Sequence, residues 1–243
     1  MKKCIGLIFL LAPLIAAAQE ESRISSKKNV IKFLVTPTVF YDDAIVIGYE
    51  RVIKRSRSLN VAAGRVHFPN VFSGSNIIHV DNQTDKGGFM VAADFRFYLQ
   101  KENKYAAPRG IYLAPFMSYY QLNREWQLNG TSSATTTNAF MRGEMGFFNI
   151  GGQIGYQFVV KDRFTFDFIF FGPSITNYRL NLQLDGNFTV DEENEIIDAL
   201  LGRFPLLSDL VDDNQLTVHG NNSTWALGYR FTCMIGYTFG RKP

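Results

Sequence analysis

The chain has 243 residues, of which 22 are Phe and 11 are Tyr, and its formal net charge at pH 7 is +3. This length suits one barrel or one large domain. The near-neutral charge balance argues against a nucleic-acid-binding protein and against a polybasic membrane-surface protein.

The first 18 residues have the features of a cleaved signal peptide. Two lysines precede an apolar run over 4–15, and Ala16–Ala18 supply the small residues of a cleavage site. The run is too short for a transmembrane helix, which needs roughly 20 apolar residues. We therefore predict a signal peptide over 1–18, a short lead-in over 19–28 and a single barrel domain over 29–243.

Cleavage would leave 23 basic and 22 acidic residues and only one cysteine, Cys233. An exported chain with one cysteine forms no internal disulfide. No later segment is a continuous apolar 20-mer, so we expect any membrane crossing to be made by strands.

Strict alternation of apolar and polar residues predicts strands. In 89–99 the odd positions are apolar, and the even positions include Asp94, Arg96 and Tyr98. A period of two places these sets on opposite faces of a strand. Eight such segments occur, at 30–41, 44–53, 59–68, 89–99, 111–122, 148–158, 164–178 and 225–239.

The connections between these segments differ in length. Segments 54–58, 101–110 and 161–163 are short and charged, and Asp42-Asp43 forms a tight turn. The connections 67–88, 123–146 and 179–223 are long and rich in Asn, Ser, Thr, Gly and Asp, and the last is predicted to hold a short helix from Thr189 to Gly202. Short periplasmic turns and long extracellular loops are typical of outer-membrane barrels. The predicted fold is an all-β, eight-stranded antiparallel transmembrane up-and-down barrel with a short helix in the last extracellular loop.

The polar rows are expected to face the barrel interior. An eight-stranded barrel has room inside only for side chains that fill it, and inward rows of bulky aromatics would overpack it. The polar rows also carry charges of both signs, which a narrow interior tolerates only when they are paired. We predict an interior charge network, which either plugs the lumen or lines a narrow ion path, formed by Lys32, Glu50, Asp94, Arg96, Asp167 and Arg230.

Aromatic residues are expected to collect at the two lipid–water boundaries. The predicted periplasmic girdle is Tyr49, Phe97, Phe158, Phe164 and Tyr237. The predicted outer girdle is Tyr41, Tyr119, Phe148 and Trp225.

Several segments resemble the small outer-membrane barrels of Bacteroidota, in particular the DUF3575-like family. The resemblance rests on the strand ends and following residues at 48–51, 94–98, 110–115, 155–157 and 172–175. It implies an outer-membrane barrel and indicates no activity.

No set of residues indicates catalysis, a metal site or a cofactor. The three histidines, His67, His79 and His219, lie in or beside predicted loops, and no Gly-x-Ser-x-Gly segment accompanies them. We therefore predict no catalytic, metal or cofactor-binding residue. The alternative is a lipid-modifying enzyme with His67 as its base.

The predicted function is that of a monomeric, non-enzymatic barrel in the bacterial outer membrane. Its partners would be membrane lipid and a surface partner recognised by the three long loops, with no nucleic acid involved. Two further alternatives are a narrow pore and a soluble, lipocalin-like ligand-binding barrel.

Overall fold

The structure is a computed structural model that describes residues 28–67, 78–130, 138–185 and 220–240. The predicted signal peptide and the helix predicted at 189–202 lie outside these residues. The strands are β1 (Asn29–Leu34), β2 (Asp42–Lys54), β3 (Arg57–His67), β4 (Ile78–Tyr98), β5 (Gly110–Gly130), β6 (Asn138–Val160), β7 (Phe164–Phe171), β8 (Pro173–Asp185), β9 (Gly220–Tyr229) and β10 (Thr232–Phe239). One short helix, α1 (Val35–Phe40), follows β1.

The strands close into a barrel. Each strand from β1 to β6 pairs antiparallel with the next. Strand β6 pairs with both β7 and β8, β8 pairs with β9, and β10 joins β7 to β1. Strands β7 and β8 are thus two halves of one barrel strand, and so are β9 and β10. Counted this way, the barrel has eight antiparallel strands in up-and-down order, and the predicted fold class is confirmed.

The two divided strands are interrupted at neighbouring points. The Arg230 N–H donates a hydrogen bond of 2.7 Å to the Gly172 carbonyl oxygen, which links the two interruptions. A Cβ at position 172 would lie 2.7 Å from the Arg230 carbonyl oxygen, so only glycine fits this approach.

The two rims of the barrel differ. The short connections 55–56, 99–109 and 161–163 lie at one rim with both ends of the barrel, and we call it the turn rim. The residues outside the description, 68–77, 131–137 and 186–219, connect strands at the opposite rim, which we call the loop rim. At the turn rim Lys161 and Asp162 have φ angles of 51° and 55°, a left-handed pair that suits a tight hairpin turn.

Two of the predicted long loops contain long strand segments, so their bounds were wrong. Strands β4, β5 and β6 have 21, 21 and 23 residues and continue through half of 67–88 and most of 123–146. The β5–β6 ladder reaches the Asn129–Asn138 pair. A strand of 21 residues is roughly 70 Å long at about 3.3 Å per residue. The loop predicted over 179–223 is also shorter, because β8 continues to Asp185 and β9 begins at Gly220.

The first strand was predicted over 30–41, but β1 ends at Leu34 and α1 begins at Val35, so the second part of this prediction was wrong. The Tyr41 N–H donates 2.9 Å to the Pro37 carbonyl oxygen at the end of this helix. Thr36 Oγ1 accepts the Cys233 N–H at 2.7 Å and fixes α1 to β10. In the described part of the chain, no helix has the length and apolarity needed to cross a membrane.

The polar rows face the interior, as the sequence analysis predicted. Buried polar side chains include Lys32, Glu50, Asp94 and Gln157. The apolar rows form the outer surface, where large side chains keep 38–84 % of their area exposed; examples are Ile31, Ile47, Phe89, Phe97, Ile150, Trp225, Leu227, Phe231 and Tyr237.

Candidate functional site in the barrel interior

Five of the six predicted interior charges meet in the half of the lumen nearer the turn rim. Lys32 Nζ lies 2.6 Å from both Glu50 Oε2 and Asp167 Oδ2. Arg96 Nη1 lies 2.5 Å from Asp167 Oδ2, and Arg96 Nε lies 2.6 Å from Asp94 Oδ1. All five charged side chains are fully buried. We call Lys32, Glu50, Asp94, Arg96 and Asp167 the charge network.

The network holds two cations and three carboxylates, so one negative charge is in excess. Neutral donors offset this excess through hydrogen bonds to the carboxylates. The donors are Ser58 Oγ and Tyr98 OH to Glu50, Asn60 Nδ2 to Asp94 and Tyr112 OH to Asp167, at distances up to 2.9 Å.

Gln157 links the two cations, and Tyr112 contacts one of them. The Gln157 Oε1 atom accepts hydrogen bonds of 2.9 Å from both Lys32 Nζ and Arg96 Nη1. The Arg96 guanidinium lies over the Tyr112 ring, 4.4 Å from its centroid, where the negative face of the ring attracts it. Through Arg96, the network therefore connects β4 across the lumen to β1 and β7, each of which lies three strands away around the barrel.

A glycine makes room for one member of this arrangement. A Cβ on Gly155 would lie 2.4 Å from Cζ and OH of Tyr112. Tyr112 can therefore reach Asp167 only because its β6 neighbour has no side chain. Gly155 and Tyr112 are also paired in the β5–β6 ladder.

An apolar layer covers the network on the side of the loop rim. Its side chains are at most 7 % exposed and belong to the main hydrophobic cluster of the barrel; they include Leu34, Met90, Ala92, Ala114, Ile169 and Met234. Ions would have to pass both this apolar layer and the paired charges, which is an arrangement that opposes conduction.

Arg230 is the predicted member that the structure places elsewhere. Its guanidinium lies over the Phe116 ring, 4.8 Å from the centroid, on the loop-rim side of the network. The alternation of residues correctly indicated that Arg230 faces inward. It gave no information about height along the barrel axis.

The uncharged members of the site were not selected from the sequence. Ser58, Asn60, Tyr98, Tyr112 and Gln157 share the inward rows with the charges. The signal that could have found them is their position opposite a charge once strand register is known, as for Asn60 with Asp94 and Gln157 with Asp167.

His67, the proposed base of the alternative enzyme, is buried at the end of β3. Arg65 Nε donates a hydrogen bond of 2.6 Å to His67 Nε2 and occupies the lone pair that a base would use. The side chains of His79 and His219 lie outside the described ones. Among the described residues, no group of three or more His, Cys, Asp or Glu is placed to hold a metal ion.

One of the predicted girdle residues points into the barrel instead. The Tyr41 ring stacks on Tyr120, with centroids 5.9 Å apart, and packs against the hydrophobic cluster of the interior. Other aromatic pairs lie on the outer surface, including Phe164–Tyr237 at 5.8 Å and Phe89–Tyr119 at 5.9 Å.

Neither a family model nor a curated protein matches the sequence. The fold is similar to that in the crystal structure of a major outer membrane protein from Thermus thermophilus, with 10 % sequence identity and a TM-score of 0.35. The similarity covers 88 % of this chain and 98 % of the other.

Proposed function

We propose that the protein is a non-enzymatic, non-conducting barrel of the bacterial outer membrane, whose role is to hold its loop rim at the cell surface. The observation that carries this proposal is the inverted barrel, with charges buried inside and a continuous apolar surface outside. Lipid matches such a surface, whereas in water the barrel would expose a large apolar patch to solvent. A closed barrel also pairs the backbone groups that hydrocarbon cannot satisfy.

The same inversion disfavours the soluble, lipocalin-like alternative. A soluble barrel needs polar residues outside, whereas Phe33, Ile45 and Phe164 keep 40–61 % of their area exposed. The narrow-pore alternative requires a wet path along the whole lumen, and the charge network and apolar layer fill the lumen with side chains on the turn-rim side.

The length of β4, β5 and β6 supports a role for the loop rim. Strands of roughly 70 Å are longer than a hydrocarbon core of about 30 Å requires, even when tilted by about 45°. The surplus is on the loop-rim side, where β4, β5 and β6 pair along their length and β8 continues beside β6 as far as the Phe140–Asp185 pair. Such an extension would present 68–77 and 131–137 to a surface partner.

Location and conductance test the proposal together. After expression in a Gram-negative host, we expect the protein in the outer-membrane fraction of a density gradient, with gel mobility that changes on heating. In planar lipid bilayers the purified protein is expected to give no stepwise current. Recovery in the soluble periplasmic fraction, or steady channels from the pure protein, would contradict the proposal.

A further inference from the structure

A cavity of about 440 Å³ lies in the loop-rim half of the lumen, above the apolar layer. Helix α1 forms one wall through Thr36, Pro37 and Phe40, and Phe116 and Leu34 lie among the other lining residues. Small-molecule sites in proteins have volumes of roughly 300–1,000 Å³. The cavity is therefore large enough for a compact organic ligand.

One wall of this cavity is a row of aromatic rings. The centroids of Tyr41 and Tyr120 are 5.9 Å apart, those of Tyr120 and Phe147 are 4.6 Å apart, and those of Phe147 and Tyr178 are 6.1 Å apart. The first two pairs are stacked, and the third is tilted. Flat apolar ligands gain contact area and offset stacking from such a wall.

A polar strip crosses the cavity beside the rings. Asn149 links two hydroxyl groups, because its Nδ2 donates to Ser118 Oγ at 3.1 Å and its Oδ1 accepts from Thr176 Oγ1 at 2.6 Å. Ser174 and Gly228 also line the cavity. A few placed polar groups in an otherwise apolar site orient a ligand.

Arg230 is the one charged residue among the described residues that line the cavity. Its Nη1 atom is buried and has no hydrogen-bond partner in the described part of the chain. The guanidinium contacts Thr232 Oγ1 through Nε at 3.4 Å and the Phe116 ring, neither of which is an anion. Arg230 as a whole is half-buried, but a buried guanidinium N–H group without an acceptor is costly, whereas a bound carboxylate would accept two hydrogen bonds from the guanidinium.

From this juxtaposition we propose that the cavity binds a small aromatic carboxylate. The carboxylate group pairs with the Arg230 guanidinium, and the ring system lies against Tyr120, Phe147 and Tyr178. This site is separate from the charge network, whose two cations are already paired with carboxylates. Binding would leave the network and the non-conducting lumen unchanged.

The test compares a charged and an uncharged probe of the same shape. Titration calorimetry at pH 7 measures the binding of 2-naphthoate and 2-naphthamide to the folded protein in zwitterionic detergent micelles. We expect the acid to bind at least tenfold more tightly than the amide, and Arg230→Gln to remove this difference. Phe147→Leu should weaken both probes by a similar factor, because it removes ring contact and leaves the charge.

Arg57→Gln is the matched control, because the Arg57 guanidinium also lies over a ring, that of Phe97, but on the outer surface at the turn rim. It should change neither affinity. Equal affinities of acid and amide for the unaltered protein would overturn the proposal, and this comparison needs no variant to fold. An equal loss of naphthoate binding in the two arginine variants would overturn it as well.

Discussion

Lys32 contacts two carboxylates of the charge network. A substitution of Lys32 therefore tests whether excess negative charge in the network lowers the stability of the protein. Lys32→Met leaves one cation with three carboxylates, and breaking a buried ion pair costs about 3–5 kcal/mol. Adding Glu50→Gln restores the original net charge while keeping the oxygen that accepts from Ser58 and Tyr98. We therefore expect the double variant to be more stable than Lys32→Met by roughly 1–3 kcal/mol.

The measurement is urea unfolding in lipid vesicles, followed by tryptophan fluorescence. The control pair is Lys32→Met with Glu102→Gln, because Glu102 is exposed in the turn-rim connection. This pair should match the single Lys32→Met variant. A double variant with Glu50→Gln that is no more stable than Lys32→Met would show that the carboxylates do not repel each other through the lumen.

At the scale of single elements, alternation predicted the strand segments that have an apolar outer face but not the full length of the strands. In 89–99 an apolar side chain at every second position marks the outward face. Beyond this band the outward positions are polar as well, as at Arg142 and Glu144, which are exposed. The apolar–polar alternation is lost there, while the backbones of β5 and β6 still pair. Helix α1 was missed because Val35, Val39 and Phe40 have high strand propensity.

The same limit applies to the interior site. Alternation assigns a residue to the inward row and leaves its height unknown. Arg230 lies six residues from Gly236, the ladder partner of Lys32, which is about 20 Å along a strand. This separation explains why five predicted charges meet and Arg230 lines a different part of the lumen.

Two glycines of β6 provide a matched test of interior packing. A Cβ at Gly155 would lie 2.4 Å from the Tyr112 ring and 2.8 Å from the Phe168 carbonyl oxygen, whereas a Cβ at Gly152 would meet nothing within 4 Å. We expect Gly155→Ala to lower the free energy of unfolding by about 1–3 kcal/mol, the usual cost of overpacking. Gly152→Ala should leave it within about 0.5 kcal/mol. Equal urea midpoints for the two variants would mean that the Tyr112 ring has room to move.

At the scale of the whole molecule, the barrel is closed by strand pairs that all lie within the part of the chain that the structure describes. Strands β8 and β9 pair from Pro173–Tyr229 to Leu182–Gly220, and β10 completes the cylinder against β1. The ends of residues 186–219 therefore leave from two adjacent, paired strands. A short turn can join two such antiparallel strands.

Replacing 186–219 with a four-residue Gly-Asn-Gly-Ser turn should accordingly leave a folded barrel. We expect the shortened protein to reach the outer-membrane fraction, to keep gel mobility that changes on heating, and to unfold in urea near the midpoint of the full chain. The matched control is an equally long Gly/Ser-rich replacement of 186–219, which separates loss of sequence from loss of length. If both replacements abolish the heat-dependent mobility, these residues contribute to the barrel itself, and display of the loop rim would no longer be separable from folding.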